Sequence, residues 1–437
     1  MAPAVTDLSI DLDRLLQRLD ELAQIGAIEG TQGNARLALT DEDRDGRDLV
    51  VQWMRDLGLH VTIDAIGNVI AVMPSAPDGA GSLAPVLTGS HVDTVRTGGR
   101  YDGTLGVLAG LEVIETVMAA GTPLERPLGV AFFTDEEGSR FAPDMLGSLV
   151  YAGGMGVEEA RAIVGVDGAV LGDELDRIGY AGPAPVPGPA PHAFVELHIE
   201  QGPVLEAEGI TIGAVTVVQG ISWQEVTITG QSNHAGTTPI PLRRDPAVVA
   251  AACITAARTL AEEIGLPMVA TVGRVELHPN LVNVVPASAT FTVDLRHTDD
   301  GVLRLAEKRM AAVIDDAAAG EGCSVERRVL ARYEPVPFDP SVIDLVANTA
   351  TRLGHTVTRL PSGAGHDAQM MARMCPTGMI FTPSVRGISH NPEEYTSPGD
   401  LEAGANVLLH TLLGLAGADP GPGHGTTASG PDTDGAS

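Results

Sequence analysis

Lysine is almost missing from this sequence. Lys308 is the only one among 437 residues, and Lys and Arg together number 27 against 57 Asp and Glu, for a formal net charge of −30. Nucleic-acid binding needs clustered cations against phosphate, so no nucleic-acid partner is expected. The bias toward arginine fits genomic composition or a salt-adapted surface rather than a function. Cysteine is also scarce. Cys253, Cys323 and Cys375 are scattered without a CxxC, which implies neither a disulfide framework nor a thiolate metal site. No run reaches the roughly 18 apolar residues of a membrane span, so no membrane partner is expected. The opening MAPAVTDLSIDLDRLL is acidic where a secretory signal is basic and then apolar, which points to a reduced cytoplasm. A GxSxG elbow is absent as well, which speaks against a serine hydrolase.

What is present is a chain too long, at 44% hydrophobic content, for one ordinary core, so two domains are expected. Residues 7–25 repeat apolar positions at three and four, as an amphipathic helix does. TDEDRDGRDLVVQWMRDLG predicts a second helix, with Thr40 or Asp41 as cap and Gly58 as stop. HVTIDAIGNVIAVMP predicts two short strands about a Gly-Asn turn. APVLTGS, TLGVLAGLEVIETVMAAG and PLGVAFFTDEEGSR then read as strand, helix, strand. Nearly continuous apolar strands in that order signal an α/β domain with a largely parallel sheet. After about residue 213 the rhythm becomes β-α-β-β-α-β, from SWQEVTITG to CSVERRVLARY, the ferredoxin-like split unit. From about 334 the α/β pattern resumes. The expected fold class is α/β: a large, mixed but mostly parallel-sheet domain with an inserted ferredoxin-like domain. Residues 1–212 and 334–416 are its two parts, 213–333 the insert, and the Gly-, Pro- and Ser-rich 417–437 a disordered tail.

Polar clusters stand where the apolar strands of the larger domain end, the edge at which open α/β sheets place their sites. His91 and Asp93 follow PVLTGS, and Asp102 lies past a Gly98-Gly99 turn and just before Gly103, so the loop can curl back. Asp135, Glu136 and Glu137 end a second strand, and adjacent Glu side chains can divide labour between metal binding and general-base work. His198 sits in FVELHIEQGPVLE with Glu196 and Glu200 on the same face and Gln201 just beyond. His390 follows a fourth strand in MIFTPSVRGISHNPEE, near Asn391 and Glu393. Taken singly, each has a bland alternative: a turn-forming Asp, a solvated acidic face, a satisfied core histidine. Four such clusters in one domain are much harder to reach by chance.

The segments GSHVDTVRTGGRYDG, TDEEGSRF, HIEQGPVLE, GQSNHAGTTP, NVVP and SGAGHDA together resemble the signature blocks of the M20 clan of metal-dependent amidohydrolases. The resemblance, over about residues 20–415, is to the carbamoylase and allantoate amidohydrolase branch. HIEQG matters most, because the peptidase branches usually place a carboxylate where His198 stands. Carried over, the resemblance implies two divalent ions per subunit, with Zn, Mn, Co or Ni all suited to such ligands. His91 and His198 would hold one, Glu137 and His390 the other, and Asp102 would bridge them. Asp93 would orient His91 through its other ring nitrogen, and Glu136 would be the general base. His234, Asn283 and Arg296 on the insert resemble substrate-clamping positions, with His234 stabilising an oxyanion and Arg296 binding a carboxylate by its planar fork. Without the resemblance, Arg296 would be read as a surface residue paired with Asp299 or Asp300. Gln201, Gly363, Ala364 and Gly365 would line the pocket. His366 and Asp367 look ligand-like, but the pattern gives the second metal to His390.

The implied activity is hydrolysis of the carbamoyl C–N bond of an N-carbamoyl-L-amino acid, a small ureido carboxylate. Allantoate amidohydrolase and β-ureidopropionase are the alternatives, and a non-catalytic binding protein of the same fold is a rival of another class. The resemblance also implies a two-fold homodimer through the insert, which would serve as both dimerisation surface and lid.

Overall fold

The computed structural model describes residues 5–74 and 83–418. The expected disordered tail therefore lies outside the described residues, apart from 417 and 418. The first helix, α1 (Leu12–Ala23), is capped by Asp11 and buries Leu15, Leu19 and Leu22. The second, α2 (Asp41–Asp56), starts at Thr40, whose hydroxyl accepts the Asp43 amide. A hairpin of β1 (His60–Ile63) and β2 (Val69–Val72) follows, then β3 (Val86–His91), α3 (Thr104–Ala120) and β4 (Leu128–Phe133). Short helices α4 (Leu146–Tyr151), α5 (Val157–Arg161) and α6 (Leu171–Ile178) lead to β5 (Ala193–Ile199), α7 (Val204–Glu208) and β6 (Ile212–Val218).

The chain then enters the smaller domain through β7 (Gly220–Thr229) and β8 (Asn233–His234). Its other elements are α8 (Pro246–Ile264), β9 (Val269–Thr271), β10 (Val275–His278), β11 (Val284–Val285), β12 (Ser288–His297), α9 (Asp300–Gly320) and β13 (Ser324–Tyr333). It returns with β14 (Val336–Pro337), α10 (Pro340–Arg352), β15 (Val357–Ser362), α11 (Asp367–Met371), β16 (Thr377–Thr382) and α12 (Pro398–Leu415).

The large sheet runs β1-β2-β4-β3-β5-β16-β6-β14, with β15 also on β6. Its centre, β4-β3-β5-β16, is parallel. These strands are buried along their whole length. That is why they read as nearly continuous apolar runs, broken by a few polar residues, rather than as alternating ones. The helix α3 lies between sheet and helices, which is why it is apolar nearly all round.

The small sheet runs β10-β12-β7-β13, with β9 also on β12. The segment MVATVGRVEL thus forms two pieces end to end along one edge of β12, interrupted at 272–274. Both helices pack on this sheet, and alternate residues of β12 point into a separate small core. The boundary differs from the expected start at 213. Residue 213 falls inside β6, which pairs with β15 and β16 of the large sheet, so the crossing comes at Gln219–Gly220. An apolar strand at a domain edge looks the same from either side until its partners are known. Among the described residues, no helix is long and apolar enough to cross a membrane.

Candidate active site

The parallel strands deliver their ends to one edge of the large sheet. His91 is the last residue of β3, Asp135 to Glu137 follow β4, His198 is the penultimate residue of β5, and His390 lies in the loop after β16. Asp102 arrives differently, on the loop that turns back into α3. Gly103 makes that return possible: it sits at φ +66°, and a Cβ on it would stand 2.3 Å from the His91 ring. Only a bare α-carbon lets Asp102 lie beside the histidine.

Two sets of donors meet at Asp102. Its Oδ1 is 3.5 Å from His91 Nε2 and 3.2 Å from His198 Nε2. Its Oδ2 is 3.5 Å from His390 Nε2, which is 3.3 Å from Glu137 Oε2. His91, Asp102 and His198 therefore form one cluster of potential ligands, and Asp102, Glu137 and His390 another. The other ring nitrogens of the buried pair are held by carbonyls: His91 Nδ1 by Asp93 O at 2.9 Å, His198 Nδ1 by Ile199 O at 2.8 Å. Each Nε2 is thereby left facing the cluster.

The donor spacing fits metal ions. With bonds of about 2.0–2.2 Å in a tetrahedral site, neighbouring ligand atoms stand about 3.3–3.6 Å apart. The four separations at Asp102 and Glu137 run from 3.2 to 3.5 Å. The charges fit as well. Burial pushes the Glu136 and Glu137 carboxyls well above the ordinary range, as negative charge crowds a shielded site. Burial also works against Asp102, but hydrogen bonding to His198 and His91 outweighs it and holds this carboxyl well below the usual range. Buried acids grouped around imidazole nitrogens suit a divalent cation. Glu136 belongs to neither cluster, though its Oε2 lies 3.4 Å from His91 Nε2. Asp135, buried with both carboxylate oxygens unpartnered among the described residues, belongs to neither.

Asp93 meets the other ring nitrogen of His91 with its main chain rather than its side chain. It holds His91 through its backbone carbonyl, while its carboxylate is 3.9 Å from the ring. The carboxylate instead accepts the amides of Glu136 and Glu137, at 3.3 and 3.4 Å. The backbone turn brings the carbonyl to the ring, and a buried carboxylate takes the amide donors within reach. His366 lies in a further cluster with Glu196 and His198, but its Nε2 is hydrogen-bonded to Ser362 Oγ at 2.9 Å.

Of the three residues expected from the insert, one is found here. Arg296 on β12 turns its Nε and Nη2 to the Asp294 carboxylate, at 3.1 and 2.9 Å, not to Asp299 or Asp300. Those two are occupied elsewhere: Asp299 caps α9, and Asp300 pairs with Arg304 and Arg332. Arg296 Nη1 crosses to the larger domain and donates to the Gly363 carbonyl at 2.6 Å. Arg296, Gln201, Gly363 and Ala364 line an interdomain cavity of about 720 Å³. Ala364, Gly365 and Gln201 also line the smaller cavity, about 100 Å³, at the ligand cluster. His234 and Asn283 do not join either cavity. They sit together on the exposed β8–β11 ribbon, where the Ala235 amide donates to the Asn283 carbonyl at 3.0 Å.

A family model described as Peptidase family M20/M25/M40 matches residues 87–414. The chain belongs to this family. It is 41% identical over 410 residues to an N-carbamoyl-L-amino-acid amidohydrolase of Rhizobium meliloti, covering 93% of this chain and 97% of that protein. It is 38% identical over 410 residues to an allantoate amidohydrolase of Escherichia coli (strain K12), covering 92% and 97%. Among solved structures, an amidase of the hydantoinase/carbamoylase family from Burkholderia multivorans has a TM-score of 0.90 at 46% identity, covering 94% and 98%. The M20 family is metal-dependent, in keeping with the His, Asp and Glu clusters.

This M20 site has supports that sequence reasoning missed. Ser389 Oγ donates to Asp102 Oδ2 at 2.7 Å, beside the Gln201 amide at 2.8 Å. Glu394 is buried and accepts the amides of Tyr101 and Asp102, at 2.9 and 3.1 Å. Burial pushes its carboxyl up to about 7. It braces the loop that presents Asp102. A Glu that works through backbone amides leaves no spacing to read, although its HNPEE run was in view.

Proposed function

We propose that this chain hydrolyses the carbamoyl C–N bond of N-carbamoyl-L-amino acids, consuming water and releasing the amino acid, ammonia and carbon dioxide. The observation that carries the reading is Asp102, with one carboxylate oxygen toward His91 and His198 and the other toward His390 and Glu137. On this reading His91 and His198 hold one divalent ion, Glu137 and His390 the other, and Asp102 both, with Zn, Mn, Co or Ni as the candidates. When bound, such a pair supplies Lewis acidity toward the carbonyl and toward water. Glu136 takes a proton from the attacking water and passes it to the leaving nitrogen. Glu136 is buried beside His91, within reach of water held at that cluster, as a general base requires. Arg296 binds the substrate carboxylate, and Gln201 with Gly363, Ala364 and Gly365 shapes the pocket.

His234 and Asn283 enter from a second copy of the chain, with His234 stabilising the oxyanion. Apolar Ile240, Leu242, Leu281 and Val282, each more than half exposed near the β8–β11 ribbon, support a homodimer through the insert. The relative from Escherichia coli keeps allantoate as a second reading, and 3-ureidopropionate offers the same two groups. Ammonia release from a panel of N-carbamoyl-L-amino acids, allantoate and 3-ureidopropionate, with each metal in turn, tests this. Fastest turnover on the N-carbamoyl amino acids is expected, and exclusive turnover of allantoate would replace the reading.

A further inference from the structure

The DMLGS stretch beyond the acidic loop has no part in the function proposed above, yet its first residue faces the reaction cavity. Asp144 lines the cavity of about 100 Å³ that also receives Asp102, Glu136 and His390. Its position is fixed by backbone. The Met145 amide donates to the Glu136 carbonyl at 2.7 Å, and the Leu146 amide to the Asp135 carbonyl at 3.2 Å. Gly138, at φ +60°, abuts it so closely that a Cβ there would lie 2.7 Å from the Asp144 nitrogen. Across the cavity, Asp144 Oδ2 lies 3.7 Å from where a Cβ would stand on Gly365. That glycine is on the loop whose Gly363 carbonyl holds Arg296.

Asp144 belongs to neither ligand cluster. Burial raises its carboxyl, its own amide lowers it, and the Arg296 guanidinium is near enough to lower it further. Among the described residues no other group donates a hydrogen bond to this carboxylate. Asp144 is half-buried, and its carboxylate stays open toward the cavity, where a ligand can bring it a donor.

We propose that Asp144 selects the substrate's α-substituent, favouring side chains that carry a positive charge or a hydrogen-bond donor and rejecting acidic ones. The assignment rests on the carbamoyl-hydrolase reading and follows from the order of groups along such a substrate. With the carbamoyl carbon at the Asp102 cluster and the carboxylate at Arg296, the atoms between are the ureido nitrogen and the α-carbon with its substituent. Asp144 lines the cavity at the Asp102 cluster and lies near enough to Arg296 to feel its charge, which sets it beside that stretch. A cationic side chain gains a charge-assisted hydrogen bond there, and a second carboxylate meets a like charge.

The test is kcat/KM on matched pairs: N-carbamoyl-ornithine against N-carbamoyl-norleucine, and N-carbamoyl-glutamine against N-carbamoyl-glutamate. The wild type should prefer the first of each pair by about tenfold, the scale of one charge-assisted bond. Asp144→Asn should lower the ornithine-to-norleucine ratio by a similar factor. Equal values in the wild type, or ratios unchanged in Asp144→Asn, overturn the proposal. A uniform loss on all four substrates also overturns it, because Asp144 would then serve the shared ureido group. If the wild type releases ammonia from none of them, the carbamoyl reading itself has failed. Calorimetric titration with free ornithine and norleucine then decides about Asp144. A preference for ornithine that Asp144→Asn abolishes supports the selection, and equal affinities refute it.

Discussion

The oxygens of Asp102 face different histidines, so truncating this one side chain removes a donor from both clusters. Asp102→Ala should lose bound metal and turnover together, as chelation of the intact protein should. Near-normal turnover with two ions still measured in the variant would end the shared-ligand assignment. Glu136→Gln keeps its shape and should keep its metal, while kcat falls by roughly 10² to 10⁴-fold, the usual worth of general-base work. Glu136 stands 3.4 Å from His91, so the reverse outcome is a real alternative. A variant depleted of metal would exchange the roles of Glu136 and Glu137. At Arg296 the guanidinium already spends its Nε–Nη2 edge on Asp294, leaving the Nη1 end toward Gly363 and the cavity. A lysine cannot serve both sides. Arg296→Lys should therefore raise KM far more for substrates with a free carboxylate than for their amides, and equal losses on both would remove carboxylate recognition from this residue.

Secondary-structure elements were legible where burial writes a pattern. The runs before His91 and Glu136 are largely free of charge because β3 and β4 are covered on both faces, and their charged ends therefore stood out as the edge of a sheet. The edge of the insert was not legible, since β6 finds β15 and β16 only after the whole small domain has intervened. Asp93 shows the same limit at closer range, because a residue type cannot tell whether its carbonyl or its carboxylate will meet a ring. The β1–β2 turn is a third case. Asp64 accepts the amides of Ile66 and Asn68 and the Asn68 side chain, while Asn68 Oδ1 accepts the Thr134 amide beside the acidic loop. Burial pushes the Asp64 carboxyl up to about 6 despite these donors. Its folded pKa thus exceeds the unfolded one of about 3.9. The folded state binds the extra proton between those values, so this group's contribution to stability falls as pH rises from about 4 to about 6. Urea denaturation of wild type and Asp64→Asn across that range should show the difference between them shifting toward the variant as pH rises. A constant difference would mean that Asp64 titrates in the fold as it does in the unfolded chain.

At the scale of the whole molecule, the chain separates its proposed chemistry. All the candidate metal ligands belong to the large domain, while His234, Asn283 and Arg296 belong to the insert. Of those three, only Arg296 reaches the large domain within one chain, through the Gly363 carbonyl. His234 is exposed, and among the described residues its ring accepts nothing more than the Gly236 amide at 3.1 Å. For the role proposed for it, a histidine left in solvent needs either a large domain movement or a second chain, and the exposed apolar residues beside it favour the second. A two-fold dimer would carry each His234 to its neighbour's ligand cluster, and closure would exclude water. Mixing two inactive variants, Glu136→Gln and His234→Ala, under conditions that exchange subunits separates these cases. In a shared-site dimer one of the two sites in each heterodimer combines an intact Glu136 with an intact His234. The other carries both defects. Activity should then recover toward half of normal per heterodimer, read against heterodimer content from two distinguishable tags. Heterodimers that form yet stay inactive, while wild-type protein survives the same exchange, would place His234 at the cluster of its own chain and make domain closure alone responsible for bringing it there.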